Sequence, residues 1–291
     1  MLLLVDLDGV VYRGAEPVPG VAAVLAARAA AGDDVVYVTN NSMWYRADYV
    51  TRLESMGAPV SPDRILSSAR ATALYLHDLE PPVRRALVVG GVGLVHELRD
   101  VGIEGVFAGD AADRWLANGR DTAAAVGSLD TVVVGLDMDF TYGRLACAAQ
   151  AVRAGARFIA TNRDPVYPME KGLLPGAGSI VAAVEAAAGC TPISIGKPGP
   201  LLLEVAAHAV GGDAATAVMI GDSLISDLPA ARAVGARSVL MLTGVTTRAQ
   251  VSALAIEDQP TEIASDAAEL AGALDRLAAA GSAQPNGRPN P

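Results

Sequence analysis

Short, wholly apolar runs that stop abruptly at polar residues constrain this chain more than any other feature. The first is Leu2-Leu3-Leu4-Val5, which runs directly into Asp6-Leu7-Asp8-Gly9. Four apolar residues in succession, without alternation, read as a strand buried on both faces, as in parallel sheets covered by helices. Similar runs occur at 34–38, 131–135, 157–160, 192–195, 217–220 and 237–242. Between them lie Ala-rich or amphipathic stretches that read as helices at 19–31, 43–56, 67–79, 141–154, 179–188, 228–234 and 269–280. Alternation of this kind predicts an α/β fold with a doubly wound, Rossmann-like parallel sheet.

The polar residues after these runs matter because open parallel sheets bind ligands outside the carboxyl ends of their strands. Asp6 and Asp8 are two apart, so on an extended chain they share a face, and Gly9 frees the backbone to turn away. Two carboxylates so close repel unless a cation lies between them or one keeps its proton. A hard divalent ion such as Mg2+ suits that position, since it takes one or two carboxylates, waters and a substrate phosphate. A strand-end Asp that merely caps the next turn explains a lone pair equally well.

Three later strand ends repeat the theme. Thr39-Asn40-Asn41-Ser42 offers hydroxyl, amide and backbone N–H donors to an anion, or else an ordinary helix cap. Gly196-Lys197-Pro198 places a lysine before a proline, which disfavours the helical region there and leaves the ammonium free to face the sheet edge. Gly221-Asp222 is followed by Asp227, a turn former and a helix cap if they act alone. Of 22 basic residues only Lys171 and Lys197 are lysine, so a lysine retained at a strand end suggests a need for a compact ammonium.

A boundary is expected near Glu80-Pro81-Pro82. It divides the chain into a core of residues 1–79 and 188–280, an α/β unit at 80–187, and a disordered tail at 281–291. Gly90, Gly91 and Gly93 suggest a dinucleotide-binding turn, but the third glycine of that fingerprint is missing and no acid follows at the required distance. They suit a tight strand-to-helix turn better. The stretch 160–178, rich in Pro and Gly, reads as an ordered loop of the functional kind, with Asn162 and Asp164 as its candidate contacts. Trp44, Tyr45 and Tyr49 read as helix packing residues.

Bulk properties narrow the classes. A net charge of −10 and a pI near 4.8 disfavour nucleic acid and anionic membranes as partners. Two distant cysteines, Cys147 and Cys190, make neither a disulfide scaffold nor a thiolate metal site. No stretch approaches the roughly 18 apolar residues of a membrane span. Met1 leads straight into the first strand, so a cytoplasmic protein is expected.

Taken together, the four strand ends DLDGVV, VTNNS, GKP and GDSLISD resemble, in order, the four motifs of the haloacid dehalogenase superfamily. The likeness extends over roughly residues 1–275, including GLDMDFTYGRL and the segment from ATNRD to LLPGAGS. A whole α/β unit between the second and third motifs is similar to the large cap of the branch that holds phosphoglycolate, glycerol-phosphate, pyridoxal phosphate, nucleotide and 4-nitrophenyl phosphate phosphatases. That resemblance implies a Mg2+-dependent phosphatase of small phosphorylated metabolites, such as glycerol 3-phosphate or phosphoglycolate. It implies Asp6 as nucleophile and Asp8 as general acid and base. Thr39, Asn40 and Lys197 would hold the phosphoryl oxygens. The metal would sit on Asp6, Asp222 and the backbone carbonyl of Asp8, with Asp227 in support. Asp137, Asn162 and Asp164 would read the leaving group from the cap, whose closure would exclude water. Bulky Met43-Trp44-Tyr45 departs from the small polar residues common after the second motif, and would narrow the entrance or support the cap. Capped members of the family often self-associate through the cap, so a homodimer is the assembly it suggests. Alternatives at this stage are a nucleotide monophosphatase, a non-catalytic phospho-metabolite-binding protein and a dinucleotide-dependent oxidoreductase.

Overall fold

A computed structural model describes residues 1–169 and 172–282. Lys171 and the tail from 283 onward lie outside the described residues. The helix before that tail runs from Ala267 to Ser282, two residues into the expected disordered segment.

Two parallel sheets organise the molecule. The first has six strands in the spatial order Glu262–Ala264, Arg237–Met241, Val218–Gly221, Leu2–Val5, Asp34–Thr39 and Ile65–Ser67. Every neighbouring pair is parallel, with Leu3 opposite Val218 on one side and opposite Val35 on the other. Chain order runs outward in both directions from Leu2–Val5, so the switch point lies between that strand and Val218–Gly221. The second sheet, also parallel, orders Ile193–Ser194, Arg157–Ala160, Thr131–Val134, Arg85–Val89 and Glu104–Phe107. Its switch point lies between Arg85–Val89 and Thr131–Val134. The expected α/β class with a doubly wound parallel sheet is therefore present twice.

Strand pleating explains the layers. Leu3, Val5, Val35, Tyr37, Val218 and Ile220 point to one face of the first sheet and bury against Val21, Leu25, Leu270 and Leu274. Leu2, Leu4, Val36, Val38 and Met219 point to the other, onto Ala69, Ala73, Leu76, Leu202 and Leu203. That second cluster continues without a break into Leu94, Leu98, Ala86, Val88, Val133 and Ile159 of the other sheet. Helices Ser68–His77 and Val92–Asp100 thus fill the space between the sheets. Burying one Val or Leu contributes about 1.5–3 kcal/mol, so separating the sheets would cost more than a marginally stable chain can lose.

Several elements differ from the sequence expectation. Strand Ile193–Ser194, expected to join the sheet that carries Asp6, is half exposed and pairs with Ile159 and Ala160 of the second sheet. It is a two-residue edge, and its register is fixed by the strand beside it rather than by its own pattern. Met43, Trp44 and Tyr45 precede the helix expected at 43–56, which begins at Arg46 and ends at Ser55, with Tyr45 as its capping residue. The loop at 160–178 contains an antiparallel ribbon, Val166–Met169 with Gly172–Pro175. No helix of the described residues is long and apolar enough to cross a membrane.

Candidate active site

Asp6 leaves the first strand at the switch point, where its N–H donates to Ile220 O at 2.8 Å and ties the ends of the two central strands together. The residue is only 8% exposed. Lys197, 2% exposed, reaches in from the loop after strand Ile193–Ser194 and donates from Nζ to Asp6 Oδ1 and to Asp227 Oδ1, both at 2.7 Å. Asp227 Oδ2 in turn accepts the N–H groups of Asp222 and Ser223 at 3.0 Å each, which fixes the loop after strand Val218–Gly221. Asp222 Oδ2 accepts Val245 N–H at 2.7 Å. Carboxylate oxygens of Asp6, Asp222 and Asp227 all lie within 4.8 Å of one another.

Gly9 shows how tightly this centre is built. Its φ of +78° lies in the left-handed region, and a Cβ there would come within 2.5 Å of Asp222 Cγ and 3.0 Å of Gly244 Cα. Thr243 Oγ1 donates to Gly9 O at 2.6 Å, so the loop after the last long strand braces the turn that carries Asp8. The residues 243–245 were missed as site components. Their signal was topological: a strand ending at the same edge must deliver its loop to the same place.

Charge explains why such a cluster needs a cation. Burial holds the Asp6 carboxyl well above the usual range, an effect that Lys197 opposes and that Asp227 and Asp222 reinforce. Burial, then Asp227, pushes Asp222 up to about 6. Burial alone would lower the Lys197 pKa, but Asp227 and Asp6 more than offset it and keep the ammonium charged. One ammonium against three carboxylates leaves negative charge uncompensated. Asp6 Oδ2 and Asp222 Oδ1 accept no hydrogen bond among the described residues, so the donor set fits a hard divalent ion.

Asp8 is exposed and is not among the carboxylates that cluster with Asp6. The surrounding protein raises its pKa, while the charges of Arg52 and Lys197 pull it down. Arg52, another residue the sequence reading did not select, lies 3.5 Å over the Tyr12 ring and donates to Gly14 O, pinning the loop that follows Asp8. Thr39 is buried, and its Oγ1 accepts Asn41 N–H at 3.2 Å, which leaves the hydroxyl hydrogen to be donated elsewhere.

The Asn40 side chain is turned toward the protein itself. Its amide clasps the Lys197 backbone, accepting Lys197 N–H at 2.8 Å and donating to Lys197 O at 2.9 Å, and it also donates to Asp164 at 3.0 Å. The side chain is thus committed to holding Lys197 and Asp164 together. Asn162 Nδ2 donates to Asn40 O at 2.7 Å, so Asn162 and Asp164 do meet the second motif. Asp137 does not. Its carboxylate pairs with Arg144 and accepts Asp139 N–H at 3.0 Å, an arrangement internal to the second sheet's own helices and turns.

A parallel-sheet protein with a lysine-bridged carboxylate centre at its switch point is the class defined so far. The sequence profile of the haloacid dehalogenase-like hydrolases matches residues 3–104, and a second, HAD-hydrolase-like profile matches residues 194–270. The acid sugar phosphatase of Staphylococcus saprophyticus is 34% identical over 248 residues, which covers 85% of this chain and 88% of that protein. The structure of a p-nitrophenyl phosphatase from Archaeoglobus fulgidus superposes with a TM-score of 0.81 at 30% identity, covering 94% of this chain and 98% of that one. A glycerol phosphate phosphatase from Mycobacterium tuberculosis, solved in complex with calcium, gives 0.78 at 33% identity, covering 92% and 74%. The chain belongs to the haloacid dehalogenase-like hydrolases, in the branch that holds these phosphatases. It is accordingly an enzyme, a phosphatase of that family.

Proposed function

We propose that this chain is a Mg2+-dependent phosphatase of small phosphate monoesters that works through an aspartyl-phosphate on Asp6. The observation that carries the reading is the buried Asp6 carboxylate held at 2.7 Å by Lys197 beside Asp222 and Asp227. In this reading Asp6 Oδ2 attacks phosphorus, and the bond to the leaving oxygen breaks as Asp8 protonates it. Asp8 then takes a proton from the water that hydrolyses the acyl phosphate. Lys197 Nζ and the Thr39 hydroxyl oppose the charge on the phosphoryl oxygens. Asn40 and Asp227 orient Lys197 from its backbone and its ammonium. Asp6, Asp222 and the Asp8 carbonyl would hold Mg2+, whose charge lets a carboxylate approach a phosphate dianion.

Residues 80–187 act as a cap that reads the leaving group, with Asn162 and Asp164 at its contact with the second motif. Three-carbon or two-carbon phosphates such as glycerol 3-phosphate or phosphoglycolate are the preferred substrates. The names of the acid sugar and glycerol phosphate relatives support a small phosphorylated metabolite over a nucleotide. Phosphate release from a panel of esters, with Mg2+ and with EDTA, tests this. Metal-dependent turnover that favours small polyol or acid phosphates is expected. A preference for UMP or AMP would move the substrate class to nucleotides, and no release from any ester would overturn catalysis.

A further inference from the structure

Glu97 sits in the second turn of helix Val92–Asp100, between His96 and Arg99, and is 0% exposed. A buried carboxylate needs partners, and those of Glu97 come from the other sheet's layer. Oε1 accepts Arg46 N–H at 3.1 Å, and Arg46 is the first residue of helix Arg46–Ser55. The carboxylate therefore caps the start of a helix it does not belong to, where the helix dipole favours negative charge. Oε2 pairs with the Arg46 guanidinium, and Arg70 Nη1 stands 3.6 Å away. One turn on, Asp100 Oδ2 accepts Tyr45 Oη at 2.7 Å and Arg46 Nη2 at 2.5 Å.

The backbone beside this network leaves no slack. A Cβ on Gly93 would lie 2.6 Å from Trp44 C and 2.7 Å from Tyr45 N, so the first turn of the cap helix rests directly on residues 43–45. Those residues continue from Thr39 and Asn40. One short segment thus carries the phosphate-side hydroxyl at one end and the seat of the cap at the other. It is held to the cap at the near end by Asn40 with Asp164 and Asn162, and at the far end by Arg46 with Glu97 and Asp100. A cap tilting about the near contact must pull a buried ion pair apart at the far one.

We propose that Arg46, Glu97, Asp100 and Tyr45 are positioning residues that fix the height of the cap above Asp8, and so set the size of leaving group the enzyme accepts. The inference rests on the phosphatase reading and adds to it a structural cause of substrate choice. In this structure the cap rests on that seat, with one apolar core shared across both sheets. None of the four touches the phosphoryl group, so loosening them should leave phosphate binding alone and change only how the leaving group is read.

The test compares Glu97→Gln and the milder Tyr45→Phe with the parent enzyme. The readouts are KM and kcat for glycerol 3-phosphate and for p-nitrophenyl phosphate, inhibition by inorganic phosphate, and Tm. The expected result is a change of at least fivefold in the ratio of the two KM values for Glu97→Gln. A smaller shift in the same direction is expected for Tyr45→Phe, with the inhibition constant of phosphate within twofold of the parent. Should Glu97→Gln fail to fold, Asp100→Asn takes its place. An unchanged KM ratio in folded variants would overturn the proposal and leave the phosphatase reading intact, as would equal shifts in phosphate inhibition and ester KM. A parent enzyme inactive on both esters would instead overturn the phosphatase reading and this inference with it.

Discussion

The two parallel sheets present the same topological opening and use it in opposite ways. At the first switch point, between Leu2–Val5 and Val218–Gly221, the strands end in Asp6 and Asp222, and their carboxylates crowd around Lys197. At the second, between Arg85–Val89 and Thr131–Val134, the strands end in glycine. There the opening is filled by the chain itself. Ser42 Oγ accepts Leu136 N–H at 3.3 Å, a Cβ on Gly135 would lie 2.7 Å from that hydroxyl, and Met43 O would lie 3.3 Å from a Cβ on Gly91. A switch point becomes a reaction centre only where unpaired charge is left facing it. Where backbone plugs it, the same geometry becomes a joint. This explains why Gly90, Gly91 and Gly93 do not make a dinucleotide site: the place of a pyrophosphate is taken by residues 42–45.

The sharpest way to break this contrast is to remove chemistry from the first opening. Asp6→Asn should lower kcat by roughly 10⁴-fold or more while Tm holds or rises, because a buried, repelled carboxylate is replaced by its neutral isostere. Circular dichroism melts alongside kinetics would check both parts. Asp8→Asn should cost less, about 10²–10⁴-fold. With p-nitrophenyl phosphate, whose leaving phenolate needs no proton, it should keep a burst of leaving group in rapid-quench experiments, followed by slow steady turnover. A normal steady-state rate would remove Asp8 from the acid-base role.

The second opening should answer to substitution in stability rather than in chemistry. Gly135→Val overlaps Ser42 and is expected to cost about 1–3 kcal/mol, seen as a Tm drop of roughly 2–4 °C per kcal/mol, with phosphate inhibition retained. Loss of phosphate binding at full stability would contradict the division drawn here.

The smallest effect concerns protons. Asp222, pushed up to about 6 by burial and Asp227, binds a proton in the folded, metal-free protein at a pH where the unfolded chain has already lost it. Stability without metal therefore falls as pH rises from the ordinary carboxylate range through about 6, since the native state holds more protons. A divalent ion needs the deprotonated form. The Tm gain from Mg2+ over EDTA should be clear at pH 8 and small at pH 5. A gain independent of pH would take Asp222 out of the metal set.

Much of the first opening was legible in the sequence because its strands are unbroken apolar runs and its ligands sit at their ends. Asp6, Lys197, Asp222 and Asp227 are brought together as three of the four motifs imply. Less legible was everything set by packing between distant segments. The strands Ile65–Ser67 and Glu262–Ala264 are three residues long, too short for a pattern to show. Helix Ala108–Ala117 was hidden in a mixed stretch whose apolar stripe is Ala, Ala, Ala and Trp115. Asn40 looks like a free donor until Lys197 and Asp164 are folded onto it. Glu97 carries no sign of burial in its neighbours, and Asp137 looks free because its partner Arg144 lies on the following helix.

The central claim is most directly tested by trapping the phosphoryl group. Asp8→Asn mixed with ³²P-labelled p-nitrophenyl phosphate, whose leaving group needs no proton, and Mg2+, then quenched in acid and digested, should show label approaching one equivalent on the peptide that carries Asp6. Ester turnover by the parent enzyme, with no label on that peptide or with label elsewhere, would contradict it.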